Sequence, residues 1–256
     1  MTPAASHRKG RRWVGPVVVV SVLVILILAA FLVGEKLARD AAAGLITKPI
    51  QQALGTDQDV DVDFGGGFLL LQAIGGSVDH VTVTASDIAF AGASGDIVLT
   101  ASGVPLNVEG TVASLGATLS IDESSMQALV PAAGAGGTVA FENDQLVVSR
   151  QMDFLGQSVP VVVVFVPSAA DGRLTLDPVS MTVNGEDVSM DEVRAGAYGP
   201  EAAAVLTSPS VCVAELLPAS LALSGAAIAG DRLVLTFSGS QVSLRGSGFT
   251  SKGVCA

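Results

Sequence analysis

The stretch that decides the fold is VDVDFGGGFLLLQAIGGSVDHVTVTASDI, residues 60–88. In its first run aspartates alternate with valine and phenylalanine, and in its last run valines alternate with histidine and threonine. Alternation with a period of two is the pattern of a β-strand with one face in a core and the other in water. The stretch therefore predicts strands at 60–64 and 78–85, separated by a glycine-rich apolar segment.

The chain beyond this stretch has the same character. Short runs rich in Val, Thr, Ile and Leu alternate with Gly, Asp-Gly, Asn-Gly and Pro, which is typical of strands and turns. The further predicted strands are 97–100, 106–115, 138–141, 145–151, 159–166, 173–183 and 232–244. The predicted helices are 35–55, kinked or interrupted at Pro49, then 120–131, capped by Ser120 or Asp122, and 200–207. The fold class is α+β, mostly antiparallel β.

An uncharged apolar segment lies near the start of the chain. Residues 14–33 carry no charge and have about the length needed to cross a bilayer, and four basic residues precede them. The positive-inside rule then places the N-terminus in the cytoplasm. We expect a basic cytoplasmic tail at 1–12, a transmembrane signal-anchor helix at 13–34 and an extracytoplasmic domain at 35–256. The alternative is a cleaved signal peptide, whose apolar region usually spans about 7–15 residues.

The composition is half hydrophobic and only 14% charged, which indicates a folded or membrane-associated protein instead of a disordered one. Nine basic and 24 acidic residues follow the predicted span, so that part carries nine minus 24, or −15. Such a charge argues against a nucleic-acid partner and repels anionic headgroups on average. Lipid contact would have to come from apolar surface or from a local basic spot.

The cysteines and acidic residues predict no metal or cofactor. Cys212 and Cys255 lie in the exported part, where a disulfide is expected. Two cysteines and one exported histidine do not form a zinc site. Asp57, Asp59, Asp61 and Asp63 are spaced like the first ligands of a calcium loop, but the glycine and the final glutamate of that loop are missing. Period two instead predicts a strand with its aspartates in water.

Enzymatic activity is not expected. The sequence contains no G-x-S-x-G motif. His80, the only histidine after the span, alternates with valines, and this pattern predicts that it lies on a polar outer face. The glycine-rich segment DFGGGFLLLQAIGG, residues 63–76, lacks the Lys-Ser/Thr of a phosphate-binding loop and the G-x-G-x-x-G of a dinucleotide site. Four large apolar residues follow its glycines. It is therefore a hydrophobic element and not a phosphate-binding loop.

These segments together resemble a known family. An apolar N-terminal helix, a short helix and then residues 60–88 are similar to the opening of the LmeA-like phospholipid-binding proteins of actinobacterial envelopes. The similarity continues in GRLTLDPVSMTVNGEDVS, residues 172–189, and in LLPASLALSGAAIAGDRLVLTFSGSQVSL, residues 216–244. Gly67 stands where the family's Gly-Phe-Pro-Phe-Leu-like knot has proline, whereas Phe68 and Leu69 are kept.

The resemblance implies a fold and a function. The fold would be a curved antiparallel sheet wrapped around a long helix, as in tubular lipid-binding proteins, enclosing an apolar groove for acyl chains. The function would be non-catalytic binding or transfer of phospholipid at the outer side of the cytoplasmic membrane, supporting envelope lipid or lipoglycan maturation. The alternative is a structural or interaction module of the cell envelope with no lipid ligand and an unknown protein partner.

The apolar surplus of the sequence is compatible with a lipid carrier, because runs such as FLLLQAI and VPVVVVFV exceed what alternating strands need. The residues predicted to contact lipid are Phe68, Leu69, Leu70, Leu71, Ile74 and Phe165. Two interpretations of residues 68–71 stay open at this point. They form either a lip of the lipid groove or a short buried helix that closes one end of the sheet. Phe165 either lines a cavity or fills the core.

Overall fold

A computed structural model of the chain describes residues 14–54, 60–90, 93–107, 109–132, 137–154, 157–196, 209–243 and 251–255. In these ranges the helices are α1 (Val14–Leu54), α2 (Leu69–Gly75), α3 (Glu123–Ala132) and α4 (Met190–Arg194), with a 3₁₀ turn at Ala214–Leu216. The strands are β1 (Val60–Asp63), β2 (Ser77–Phe90), β3 (Ala93–Pro105), β4 (Thr111–Asp122), β5 (Thr138–Glu142), β6 (Gln145–Phe154), β7 (Gln157–Ala170), β8 (Arg173–Val183), β9 (Glu186–Val188), β10 (Ser210–Cys212), β11 (Ala222–Ala229) and β12 (Arg232–Ser243).

The strands form two antiparallel sheets. The first sheet has the order β1-β2-β3-β4-β12-β11, and the second has the order β10-β8-β7-β6-β5, with β9 paired to β8. Tight turns close the hairpins of the second sheet: Asn184 and Gly185, like Asp171 and Gly172, all have positive φ. Two such residues in succession are what a two-residue hairpin turn requires. The predicted class, mostly antiparallel β with a few helices, is confirmed.

One sequence prediction differs from the structure between β3 and β4. A strand was expected at 106–115, but β3 ends at Pro105 and β4 begins only at Thr111. The chain turns here, and the Leu106 N–H donates to Gly76 O at 3.1 Å instead of to a neighbouring strand. After β4, a helix capped by Ser120 or Asp122 was expected. β4 pairs with β12 as far as Asp122, and Asp122 is the cap of α3: its carboxylate accepts from Ser125 N–H at 2.7 Å.

The residue patterns did not predict strands β9, β10 and β11. β11 has the sequence ALSGAAIA, whose small residues have weak strand preference, and it forms because it pairs with β12 along its length. The predicted helix 200–207 lies outside the described residues, as do Asp57 and Asp59. The predicted disulfide is confirmed: Cys212 and Cys255 are bonded, with their Cα atoms 5.9 Å apart.

The N-terminal helix is longer than predicted. Helix α1 joins the expected apolar span to the expected amphipathic helix without a break and runs through Pro49 to Leu54. It contacts β1 and α2. The described residues therefore do not show a sheet wrapped around a long helix. Within them, no helical stretch is both long enough and apolar enough to span a bilayer. The side chains of residues 14–23 are outside that description, so the span at 13–34 stays a prediction.

Buried apolar side chains form three clusters. One lies between β1, β2, α2 and the alanines of α1, and a second lies on β4, β11 and β12. The third lies on the second sheet, where Phe165 packs with Val163 and Met181 beneath Val193 of α4. Phe165 therefore belongs to a buried cluster, and its predicted contact with lipid stays a prediction.

Candidate functional site

Two of the three glycines after β1 shape a turn. Gly66 and Gly67 have φ of +77° and +112°, a backbone region that residues other than glycine rarely adopt. Gly76, with φ of +84°, ends α2 in the left-handed conformation common at helix C-termini. Gln72 fixes the element between them, because its Nε2 donates to Gly66 O at 3.0 Å and its Oε1 accepts from Asp79 N–H at 2.8 Å.

A buried carboxylate from α1 caps α2. Phe68, the residue before α2, makes no side-chain capping bond. Instead, the Glu35 carboxylate accepts from the N–H groups of Leu69 at 2.6 Å and Leu70 at 3.0 Å. These are amides that the first turn of a helix leaves unpaired, and a negative charge at that end is favourable. Glu35 thereby replaces the missing cap and fastens α2 to α1.

Arg39, one turn further along α1, binds the same carboxylate. Its Nε donates to Glu35 Oε1 at 2.8 Å, its Nη1 donates to Phe64 O at 2.6 Å, and its Nη2 donates to Gly67 O. Burial alone would raise the pKa of Glu35. The hydrogen bonds from Leu70 and Leu69 and the contact with Arg39 outweigh it and hold that pKa below its ordinary value. We call Glu35 and Arg39 the α1 clamp.

The clamp gives α2 one buried face and one exposed face. Leu69 is buried in the cluster between α2 and β2, and Leu70 is partly buried near Gly34. Phe68, Leu71 and Ile74, spaced three apart on the other face, are 43%, 56% and 84% exposed. We call these three residues the α2 ridge. The segment is thus a short helix with one buried and one exposed side, and its contact with lipid stays a prediction.

The ridge contacts α1 through two aromatic rings. The rings of Phe31 and Phe68 meet edge to face with centroids 5.0 Å apart. Exposed apolar side chains of α1 on both sides of Phe31 in the sequence include Val24, Ile25, Leu26, Ile27, Leu28, Leu32 and Val33. Leu106 is also exposed, and its N–H donates to O of Gly76 at the C-terminal end of α2.

The first sheet carries a continuous apolar face. Its central residues, on β3 and β4, pair across the strands as Ile97 with Leu119, Leu99 with Ala117, and Ala101 with Leu115. All six are only partly buried. We call these six residues the β3–β4 strip. On either side of it the same face is buried, by Val81, Val83 and Ala85 on β2 and by Leu233, Leu235 and Phe237 on β12.

The strip lies between two closed parts of the core. Ile97 and Leu99 pack against the cluster that includes Leu69, whereas Ala117 and Leu119 pack against the cluster on β12. Among the described side chains of α1, Ala38, Ala42 and Ala43 pack against the first cluster. Ile97 and Leu99 of the strip pack against the same cluster, which includes Leu69 on the inner side of α2.

The opposite face of the first sheet is polar. Asp61, Asp63 and His80 are exposed on it, and His80 Nδ1 lies 2.9 Å from Ser102 Oγ. The predicted outward placement of these three residues is confirmed. Among the described residues, no group of three or more His, Cys, Asp or Glu side chains is placed to hold a metal ion.

Sequence reasoning found the ridge residues but missed the clamp and the strip. Glu35 and Arg39 have the i, i+4 spacing of a helical ion pair, which is visible in the sequence. Their targets, the amides of Leu69 and Leu70 and the carbonyls of Phe64 and Gly67, are not visible there. The strip was missed because β3 was predicted as four residues and β4 was misplaced.

Comparison with known proteins identifies one family. The chain matches no curated protein and no solved structure. Residues 33–238, which include α2, the first sheet up to β12 and the whole second sheet, match the model of a protein family described as LmeA-like phospholipid-binding. The chain therefore belongs to the LmeA-like phospholipid-binding family.

Proposed function

We propose that the protein binds a phospholipid non-covalently and carries it without altering it, with the acyl chains held along the β3–β4 strip. The observation that carries the proposal is the strip itself, a partly buried apolar surface between two fully buried clusters on one sheet face. Membership of a phospholipid-binding family supports the same ligand class.

The energetics favour acyl chains as the occupant. Each methylene that leaves water for an apolar surface contributes about 0.8 kcal/mol, and the cost of ordering the ligand opposes it. The six residues of the strip bear no polar side-chain atom, so a hydrocarbon leaves no hydrogen-bonding group unpaired there. A protein segment laid on the same strip would have to satisfy its own backbone polar groups, which is a stricter demand.

We further propose that lipid enters past the α2 ridge at a membrane surface. Residues 14–33 are uncharged and follow a basic segment, which supports an anchor in the cytoplasmic membrane with the N-terminus inside. Phe31 lies near the end of that apolar segment and contacts Phe68 of the ridge. An anchored α1 would therefore hold α2 at the lipid headgroups. The family resemblance suggests that the protein helps the maturation of envelope lipids or lipoglycans.

Native mass spectrometry of the full chain, released from detergent in the gas phase, tests the binding proposal. We expect a species heavier by the mass of a phospholipid, identified by lipid extraction and fragmentation. A chain that is consistently empty after purification from its membrane, and that stays empty after incubation with phospholipid, would contradict it. That result would favour the alternative, an envelope module whose apolar surface meets another protein.

A further inference from the structure

Arg150, on the second sheet, has apolar side chains around it. Arg150 lies in the middle of β6, opposite Val161 of β7. Val148 and Met152, two positions before and after it, share its face of the strand. Met152 and Val161 are buried members of the core cluster of this sheet. Arg150 therefore projects from the apolar face of the sheet and not from its solvent face.

The guanidinium of Arg150 lacks a suitable partner in the described part of the protein. Its Nε is buried and makes no hydrogen bond. Its Nη2 donates only to Met152 Sδ, at 3.4 Å, and a thioether is a weak acceptor. The ion pairs seen among the described residues use other arginines, Arg39, Arg194 and Arg232. No described carboxylate neutralises Arg150.

This arrangement is unfavourable for the protein alone. Arg150 is partly buried, and its Nε is a buried donor without an acceptor, which costs free energy. None of the ion pairs between described residues brings a carboxylate to this guanidinium. An anion supplied from outside the chain would satisfy the free donors. The planar fork of arginine matches a phosphate, to which it donates two parallel hydrogen bonds.

We propose that Arg150 binds the phosphate group of the phospholipid and so recognises its headgroup. This inference rests on the proposed function and adds to it the residue that would distinguish a phospholipid from an uncharged lipid. The net charge of −15 after the apolar segment would otherwise disfavour an anionic headgroup. Arg150 supplies the local basic spot that such a headgroup requires.

Binding titrations on the full chain in maltoside micelles test the assignment. The probes are phosphatidylglycerol and diacylglycerol with identical labelled acyl chains, which differ only in the phosphate-bearing headgroup. We expect the wild-type protein to prefer phosphatidylglycerol. In Arg150→Gln, the affinity for phosphatidylglycerol should fall about tenfold or more, and the affinity for diacylglycerol should stay the same. Arg150→Lys should lie between them, because it keeps the charge but loses the fork.

Arg194→Gln is the matched control, because it removes the same charge from an exposed pair with Asp191 on α4. It should bind both lipids as the wild type does. Equal losses for both lipids in Arg150→Gln, or no loss for either, would overturn the assignment. Inorganic phosphate is the second probe: if it binds through Arg150 while the affinity for phosphatidylglycerol is insensitive to Arg150→Gln, the ligand is a free anion and the headgroup assignment is wrong. A wild-type chain that binds neither lipid would instead refute the proposed function.

Discussion

The Glu35 carboxylate of α1 accepts a hydrogen bond from the Leu69 N–H at 2.6 Å, although the two residues are 34 positions apart. A helix normally receives its N-terminal cap from a residue just before it. Here α2 receives it from another helix, and Arg39 holds the same carboxylate in place. The position of the α2 ridge therefore depends on α1 and not on the local sequence of α2.

Glu35→Gln should loosen α2. The neutral amide cannot pair with Arg39 as an ion and offers one acceptor oxygen where the carboxylate offers two. We expect the amides of Leu69 and Leu70 to exchange with deuterium about tenfold faster, measured by hydrogen exchange with mass spectrometry. Lys36→Gln, an exposed change at the next position, is the control. Unchanged exchange in Glu35→Gln would show that the clamp does not hold α2.

Acidification should release α2 in the same way. The pKa of Glu35 lies below its ordinary value of 4.5, so the contribution of its carboxylate is complete at neutral pH. That contribution falls as the pH drops below 4.5 and is lost through the lower pKa of the folded state. We expect α2 exchange, corrected for intrinsic rates, to rise over this window in the wild type. The same rise in Glu35→Gln would assign it to other groups.

Ile74→Asp should impair lipid exchange without affecting folding. Ile74 is 84% exposed on the ridge, so a charge there is tolerated in water but is unfavourable against acyl chains. We expect transfer of labelled phospholipid between vesicles to slow about tenfold, with an unchanged melting temperature. Val254→Asp is the matched control, because Val254 is 83% exposed near the C-terminal disulfide. Equal transfer rates for the two variants would exclude the ridge as the entry.

Ala101→Phe should compete with lipid inside the protein. Ala101 lies at one end of the β3–β4 strip, where a larger side chain would occupy the space proposed for an acyl chain. We expect co-purified phospholipid per protein to fall severalfold. Thr100→Phe places the same ring one residue earlier, on the exposed opposite face, and should retain the lipid. If the two variants carry the same amount of lipid as the wild type, the strip is not the binding surface.

Reducing the disulfide should destabilise the domain. The bond between Cys212 and Cys255 closes a loop with a sequence separation of 43 and ties the C-terminal segment to β10. The chain-entropy estimate for such a loop is about 4 kcal/mol. Urea unfolding with and without dithiothreitol should show this loss in the wild type, and Cys212→Ser should be insensitive to the reductant. An unchanged urea midpoint under reduction would contradict the estimate.

Local patterns predicted the strands whose faces differ in polarity. β1 and β2 were predicted within a few residues, because aspartates, threonines and His80 alternate there with buried valines. β11 was missed because its alanines and glycine carry no such alternation, and pairing with β12 alone makes it a strand. The Leu106 turn was missed because apolar residues continue through it without a change of period.

The sequence by itself determined the β-rich class, the family, the disulfide and the apolar character of residues 68–71. Each of these follows from residue types and their spacing along the chain, which are known before the chain's fold is. The tertiary structure alone decided that Glu35 caps α2, that the ridge is exposed while Leu69 is buried, that the β3–β4 strip lies between two buried clusters, and that no described carboxylate pairs with Arg150. Those features depend on which distant residues are brought together, because burial and hydrogen-bond partners are properties of packing and not of sequence order.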